Sequence, residues 1–252
     1  MEVLPVEGLP EVEPGDELAA AIESATDPAD GDVLCVASTV VSKAEGRIAT
    51  LAEFPPGPRA EEIADRLAEL TGEEKDPRFA QAVLEESTEI IMEAPFLLTE
   101  TRFGHVGVNA GIDRSNVSGG DLLLLPERPT ESARRIRANL ATDPAVVVTD
   151  TCGRPFRHGQ TGVAIGWAGM PASRDWRGET DREGFELEAT VQSVVDELAG
   201  TANLLMGEGA GGTPAVLVRD WSFGDHEGSE NLFRDVESDF VRRALRGWSY
   251  EG

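Results

Sequence analysis

Two short polar segments, residues 108–117 and 147–157, constrain the fold of this chain most, because each interrupts an apolar run. In each segment a carboxylate, Asp113 or Asp150, stands where the apolar residues give way to a turn that contains glycine. Carboxylates at strand ends also serve as turn formers, so either residue alone has a structural explanation. Together, with hydroxyl, amide and guanidinium groups beside them, they are the donors that a divalent cation and a phosphate chain require.

Strands and helices alternate irregularly along the chain. Apolar runs predict strands at residues 3–6, 32–37, 89–92, 96–99, 121–125, 145–149 and 215–218. Helical spacing predicts helices at residues 17–24, 59–70, 78–86, 129–140, 185–206 and 235–246, with polar or glycine-rich loops at 38–47 and 207–212. This order favours an α+β (mixed α/β) fold with mixed and antiparallel sheets flanked by helices over a doubly wound parallel sheet. No repeat or linker is evident, so residues 1–252 are predicted to form a single unit without a confident internal boundary.

The charge of the chain limits its partners. There are 47 acidic residues against 22 basic ones, for a formal net charge of −25. Such a surface repels nucleic acid and anionic lipid, so neither is expected as a partner. Adaptation to high salt explains the charge, because screening removes most of the self-repulsion; recruitment of a cationic partner is the alternative. No apolar run approaches the roughly 20 residues that span a bilayer, and the N-terminus lacks the basic region of a signal peptide. A cytoplasmic protein is expected.

The glycine-rich loop at residues 207–212 follows a predicted helix and precedes a strand, which is the reverse of a phosphate loop. A helix C-terminus carries negative partial charge and favours cations, so Glu208 is interpreted as a metal ligand. The backbone around it would close on a nucleotide. A helix-ending glycine followed by a surface turn is the alternative.

Asp113, Asp150, Thr151 and Glu208 together provide hard oxygen ligands suited to Mg²⁺ or Mn²⁺. Two such cations bridging phosphate oxygens would neutralise charge during phosphoryl transfer. A second polar group, which contains Ser38, Thr39 and Lys43, follows the apolar run at residues 32–37. Its hydroxyls and its ammonium could bind phosphate, although a solvated loop is the ordinary alternative.

Five segments of the chain, in order, resemble the coenzyme F420 γ-glutamyl ligase family: residues 6–10, 38–47, 109–117, 149–154 and 203–209. The resemblance runs from about residue 3 to residue 219. It implies a GTP-dependent ligase that adds L-glutamate to the deazaflavin coenzyme precursor, first through an amide and then through a γ-glutamyl linkage. The substrate carboxylate would be activated by GTP as an acyl phosphate before the glutamate amine attacks.

The resemblance also implies roles for residues. Asp113, Asp150 and Glu208 are expected to be catalytic; Asp113 and Asp150 match ligands of a first metal, and Thr151 and Glu208 match ligands of a second. The expected nucleotide contacts are Gly8, Leu9, Pro10, Glu11, Ser38, Thr39, Lys43, Asn116, Met206, Gly207, Gly209, Ala210, Gly211, Gly212 and Thr213. Glu11 departs from the apolar residue usual at its position. The implied cofactors are GTP as cosubstrate, Mg²⁺ or Mn²⁺ at two sites, and K⁺.

Family members form intertwined dimers, so a homodimer is expected, and a chain of this length is expected to lack the fused nitroreductase-like domain of some relatives. Two other functions stay open. Guanine recognition is not visible in the sequence, which leaves an ATP-dependent ligase or kinase acting on another carboxylate. A non-catalytic module that binds metal and nucleotide is the other alternative.

Overall fold

The computed structural model describes residues 1–115, 117–209 and 211–248. The strands are β1 (Glu2–Pro5), β2 (Val33–Ala37), β3 (Ile48–Ala49), β4 (Ser87–Met92), β5 (Leu98–Thr101), β6 (Val106–Val108), β7 (Leu122–Leu123), β8 (Ala145–Gly153), β9 (Gln160–Ala168), β10 (Ser173–Asp175), β11 (Val191–Ser193), β12 (Ala215–Arg219) and β13 (Gly228–Ser229). The α-helices are α1 (Leu18–Ala25), α2 (Ser38–Ala44), α3 (Pro58–Thr71), α4 (Pro77–Glu86), α5 (Pro129–Asn139), α6 (Val194–Met206) and α7 (Phe240–Arg246). Among these described residues, no helix has the length and apolar character needed to cross a membrane.

The chain forms two compact units, and each is built from separated segments. Unit 1 contains Met1–Glu45 and Arg128–Leu232, and unit 2 contains Gly46–Glu127 and the chain from Phe233 onward. The chain therefore crosses between the units at several points, and no linker or composition shift marks these boundaries in the sequence. The single ligase unit over residues 1–252 stays a prediction.

Unit 1 is organised around a five-stranded sheet with the strand order β1-β12-β2-β8-β9. β2 and β8 are parallel, and the other neighbours are antiparallel. The central strands β2 and β12 and the first half of β8 are buried, as their continuous apolar runs require. A small sheet of β11, β10 and β13 completes this unit.

Two glycines of β9 allow α6 and α5 to pack closely on the large sheet. A Cβ atom at Gly162 would collide with the Ala199 carbonyl of α6, and one at Gly166 would collide with the Pro129 backbone of α5. Both contacts are with backbone, which cannot move aside as a side chain can. The two helices are therefore held against β9 at close range.

Unit 2 contains the antiparallel sheet β4-β5-β6 and the strand pair β3-β7. Its core brings α3 and α4 against these elements through buried apolar side chains that include Phe54, Ile63, Leu97 and Leu122. α7 is attached differently, because the side chain that it buries is the charged Arg242.

The predicted α+β fold with mixed and antiparallel sheets is confirmed, but several elements differ from the expectation. The predicted loop at residues 38–47 begins with α2, because Val40 and Val41 are buried on that helix. The predicted long helix at residues 185–206 begins only at Val194, since Val191–Ser193 pairs with β10 as a strand. The strand predicted at 145–149 continues to Gly153 and pairs with β9, which was not predicted.

Candidate functional site

One edge of the five-stranded sheet collects most of the predicted site residues of unit 1. β1 and β2 are both antiparallel to β12, and β8 is parallel to β2, so β1, β2 and β8 run in the same direction. Their carboxyl ends therefore lie at the same edge of the sheet as the amino end of β12. Four predicted segments lie at this edge: residues 8–11 after β1, residues 38–43 after β2, residues 150–151 within β8, and residues 206–213 before β12. We refer to this part of unit 1 as the candidate edge.

At the candidate edge, β8 extends past the end of β2 and carries Asp150 on its extension. Ala37, the last residue of β2, pairs with Thr149. The residues that follow this pair are Ser38 and Asp150, and their side chains are in contact. The buried Ser38 hydroxyl donates to Oδ1 of Asp150 at 3.1 Å. A hydroxyl on the first residue of α2 therefore orients the half-buried carboxylate.

Thr151 projects from the opposite face of β8, because successive side chains of a strand alternate. It pairs across the strands with Gly162, against which α6 packs through Ala199 and Asn203. Thr149, on the same face as Thr151, donates from its hydroxyl to the Met206 sulfur at 3.7 Å. The face of β8 that carries Thr151 is thus the face covered by the end of α6.

The end of α6 carries Glu208. Gly207 ends the helix with a φ of 67°, and its N–H donates to the Asn203 carbonyl at 2.9 Å. The Asn203 side-chain Nδ2 donates to Oε1 of Glu208 at 3.0 Å, so the same residue fixes the turn and orients the exposed carboxylate. Thr151 and Glu208, the expected ligands of one metal, lie on a common side of the sheet.

The first part of the candidate edge brings Lys43 and Glu11 together. The Lys43 ammonium donates to Oε1 of Glu11 at 2.6 Å. The Lys43 side chain is 12% exposed, whereas Glu11 is 74% exposed. Lys43 therefore belongs to a formed ion pair and not to a solvated loop.

Two of the other expected nucleotide contacts of unit 1 lie on helices: the half-buried Thr39 on α2 and the buried Met206 at the end of α6. The rest lie in two loops, residues 8–11 and 207–213, where these are exposed or half-buried: Gly8, Leu9, Pro10, Gly209, Gly211, Gly212 and Thr213. Gly8 and Gly212 have φ values of 79° and 66°, a conformation that favours glycine. Ala210 lies outside the described residues. The roles of these residues stay predictions.

Asp113 belongs to unit 2 and is held in a turn of its own. Its backbone N–H and carbonyl form an isolated bridge with Leu123 of β7. The Ser115 N–H donates to Oδ1 at 2.7 Å, and the Ser115 hydroxyl lies 2.8 Å from each carboxylate oxygen. The backbone at the preceding residues Asn109 and Ala110 has φ values of 53° and 56°, and positive φ values are uncommon for residues other than glycine. Asn116, predicted as a nucleotide contact, lies outside the described residues.

The oxygen donors named above fit a hard divalent cation by chemical type. Across residues 1–115, 117–209 and 211–248, no three or more His, Cys, Asp and Glu side chains are grouped to hold a metal ion by themselves. Mg²⁺ at phosphate-transfer sites is bound through one or two carboxylates together with substrate phosphates and water, so a preformed cage is not required. The donors suit a cation that binds together with a nucleotide.

Cys152 follows Thr151, and its thiol donates to the Gly153 carbonyl at 3.1 Å. Burial raises the pKa of the Cys152 thiol, and the charges of Asp150 and Asp196 raise it further. Without a bound cation, these effects favour the neutral thiol.

The model of the family described as F420-0:Gamma-glutamyl ligase matches residues 8–220 of this chain. The chain belongs to the F420-0:gamma-glutamyl ligase family. Three relatives called Coenzyme F420:L-glutamate ligase match its whole length. The protein of Halobacterium salinarum is 71% identical over 252 residues, covering 100% of both chains, and that of Halorubrum lacusprofundi is 70% identical over 251 residues, also covering 100% of both. The protein of Natronomonas pharaonis is 68% identical over 252 residues, covering 100% of this chain and 99% of the relative.

The match to the F420-0:gamma-glutamyl ligase family confirms the resemblance inferred from the five segments. It spans the candidate edge from Gly8 onward and also includes Asp113, but it ends before α7. Sequence reasoning missed two residues that orient the predicted ligands, Ser115 beside Asp113 and Asn203 beside Glu208. Ser115 had a detectable signal, since Asp-x-Ser is a common turn in which the carboxylate accepts the N–H two residues on.

Proposed function

We propose that this protein is a GTP-dependent ligase that adds L-glutamate to the deazaflavin precursor of coenzyme F420. The observation that carries the proposal is full-length identity of 68–71% to proteins called Coenzyme F420:L-glutamate ligase. The candidate edge supports it, because one edge of one sheet presents hydroxyls, an ammonium and carboxylates. These groups suit a ligand that is both anionic and accompanied by a cation.

The proposed reaction has two steps. An oxygen of the substrate carboxylate attacks the γ-phosphorus of GTP, and the bond from that phosphorus to the β-phosphate oxygen breaks, releasing GDP. The amine of L-glutamate then attacks the acyl carbon, the bond to the phosphate oxygen breaks, and the amine loses a proton as the amide forms. Phosphorylation turns a poor electrophile into one with a good leaving group. Repetition at the γ-carboxylate of the added glutamate extends the tail.

The protein's part in this reaction is positioning and charge neutralisation. Lys43 would neutralise phosphate as a point charge, and the hydroxyl of Thr39 would donate to a phosphate oxygen. Asp150, oriented by Ser38, would be a ligand of Mg²⁺ or Mn²⁺ on one face of β8, and Thr151 with Glu208, oriented by Asn203, would be such ligands on the other face. When bound, such a cation neutralises the charge that builds on the phosphate oxygens.

Asp113 of unit 2 is proposed as a ligand of a metal ion. The Ser115 contacts fix its carboxylate before any cation binds, which lowers the entropy lost on binding. A second metal ion, a K⁺ requirement, a homodimeric assembly and a cytoplasmic location stay predictions.

The test is the mass of the product formed from the coenzyme precursor, L-glutamate, GTP and Mn²⁺ in concentrated KCl. Addition of one or two glutamyl units with an equal amount of GDP supports the proposal. Reactions without glutamate, and with ATP in place of GTP, are the controls. Turnover with ATP at least equal to that with GTP would remove the GTP assignment. Nucleotide binding without any product would favour a binding module.

A further inference from the structure

Lys43, the lysine of the candidate edge, already has an anion bound to its ammonium group. That anion is the Glu11 carboxylate, 2.6 Å from Nζ. The partners differ sharply in exposure: 12% of the Lys43 side chain and 74% of the Glu11 side chain are exposed. The ammonium is therefore held by the protein, while the carboxylate can leave it into water.

Both sides of this ion pair are anchored by neighbouring buried residues. Lys43 follows Val41 and Ser42, which are 0% and 1% exposed, on α2. Thr39, four residues earlier and half-buried, lies on the same helix face as Lys43. Glu11 precedes Val12, which is 7% exposed. The loop after β1 is thus fixed next to α2, so the contact does not depend on two unrestrained surface side chains.

A carboxylate at this position cannot itself bind the phosphates of a nucleotide, because like charges repel. It occupies the position on Lys43 that a phosphate oxygen would need. We propose that Glu11 is a placeholder, by which we mean a carboxylate that occupies the Lys43 ammonium until a nucleotide phosphate displaces it. This proposal rests on the proposed GTP site. Glu11 therefore lowers the affinity of the site for nucleotide and keeps Lys43 ordered when no nucleotide is bound.

The placeholder also gives the site selectivity among anions. A monovalent anion offers the ammonium no more charge than Glu11 does, and it must also lose translational freedom to bind. A phosphate chain carries more charge and gains a further contact from the hydroxyl of Thr39. Displacement of Glu11 therefore favours polyphosphates over the simple anions of a concentrated salt solution.

The ion pair itself can be tested without any nucleotide. Lys43 and Lys75 are the two lysines of the chain, so acetylation of the Lys43 amine by acetic anhydride can be followed by peptide mass. Glu11→Gln is expected to speed this acetylation, whereas Glu13→Gln, which removes the same charge from an exposed neighbour, is expected to leave it unchanged. Equal rates in wild type and Glu11→Gln would overturn the proposal.

The placeholder role is tested by equilibrium dialysis of GTP with the full-length protein. An ion pair with an exposed partner contributes a free energy that changes an equilibrium constant by about two- to five-fold. Glu11→Gln should therefore bind GTP tighter by that factor. Glu13→Gln should bind like wild type. In a Lys43→Met background the gain from Glu11→Gln should disappear; a gain that persists there would show a general charge effect and overturn the placeholder.

The two proposals fail differently in these experiments. In one outcome, Glu11→Gln speeds acetylation of Lys43 as expected, but the wild-type protein binds no GTP. This result refutes the proposed GTP site, and with it the placeholder role, while the ion pair itself is supported. Wild-type protein that binds GTP with an affinity equal to that of Glu11→Gln keeps the GTP site and refutes the placeholder alone.

Discussion

Ser38 and Asp150 are 112 residues apart in the chain, yet the Ser38 hydroxyl donates to Oδ1 of Asp150 at 3.1 Å. The contact exists because β2 and β8 are parallel neighbours that end at the same edge. Hydrogen bonds to charged groups contribute more than neutral ones, at about 1.5–3 kcal/mol. Ser38 is thus placed to fix the orientation of the carboxylate that we propose as a metal ligand.

Ser38→Ala should lower kcat/KM about ten-fold, because the Asp150 carboxylate loses the donor that orients it. Steady-state ligase assays on folded protein check this prediction. Ser42→Ala is the matched control, since Ser42 is also buried on α2 and has no assigned role at the site. Equal losses in the two variants would show that α2 is merely sensitive to truncation.

Asp150→Asn should abolish turnover while leaving the protein folded, because the amide has the shape of the carboxylate but no charge to offer a cation. Circular dichroism and product formation are measured in parallel. The exposed Asp225→Asn removes one negative charge elsewhere and should keep full activity. Turnover at the wild-type rate in Asp150→Asn would remove Asp150 from the proposed metal site.

Asn203→Ala should raise the Mn²⁺ concentration needed for half-maximal activity by about 10-fold or more, the effect expected when a residue that orients a metal ligand is removed. The reason is the 3.0 Å hydrogen bond from Asn203 to Glu208. Leu204→Ala truncates the next residue of α6, which is 84% exposed, and should leave the Mn²⁺ titration unchanged. A shift of similar size in both variants would contradict this role.

In unit 2, the Arg242 side chain is 4% exposed and pairs with Glu89 and Glu100. Arg242→Gln should therefore lower the free energy of unfolding by about 3–5 kcal/mol, because Glu100 loses its ion-pair partner and Glu89 keeps only Arg246. Urea unfolding measures the loss. Arg243→Gln changes the exposed neighbour on α7 and should cost well under 1 kcal/mol.

The same ion pairs predict how acid affects stability. Arg246 and Arg242 hold the pKa of Glu89 below its usual range, and Arg242 and Thr88 do the same for Glu100. A carboxyl group whose pKa is lowered on folding contributes stability that is present above its unfolded-state pKa and lost as the pH falls through the folded-state value. The stability difference between wild type and Arg242→Gln should thus be constant near pH 7 and shrink below about pH 4.5. A difference that stays constant down to pH 3 would contradict this prediction.

The net charge of −25 predicts that salt stabilises the protein. The Debye length falls from about 30 Å at 0.01 M salt to about 3 Å at 1 M, so repulsion between surface carboxylates is screened. The Tm should rise continuously between 0.01 M and 2 M KCl. An unchanged Tm over this range would be inconsistent with adaptation to high salt.

Residue pattern alone was sufficient for the fold class, the family and the positions of most strands. Strands such as β2 and β12 are buried on both faces, so their apolar runs are visible without knowledge of their neighbours. Asp150 and Thr151 could be selected for the same reason, since they directly follow such a run. These features depend on which residues are present and on their order along the chain, and the sequence alone provides that information.

Tertiary contacts decided the rest. Residues 185–193 have helical spacing, but Val191–Ser193 forms a strand because β10 provides a pairing partner that no local pattern reveals. Three features of the site likewise depend on which elements meet. They are the opposite faces on which Asp150 and Thr151 lie, the orientation of Glu208 by Asn203 and the pairing of Glu11 with Lys43. Local propensity differs between conformations by about 1 kcal/mol per residue or less, and burial and pairing readily exceed it. The sequence therefore determined which chemical groups the site contains, and only the tertiary structure decided which of them meet.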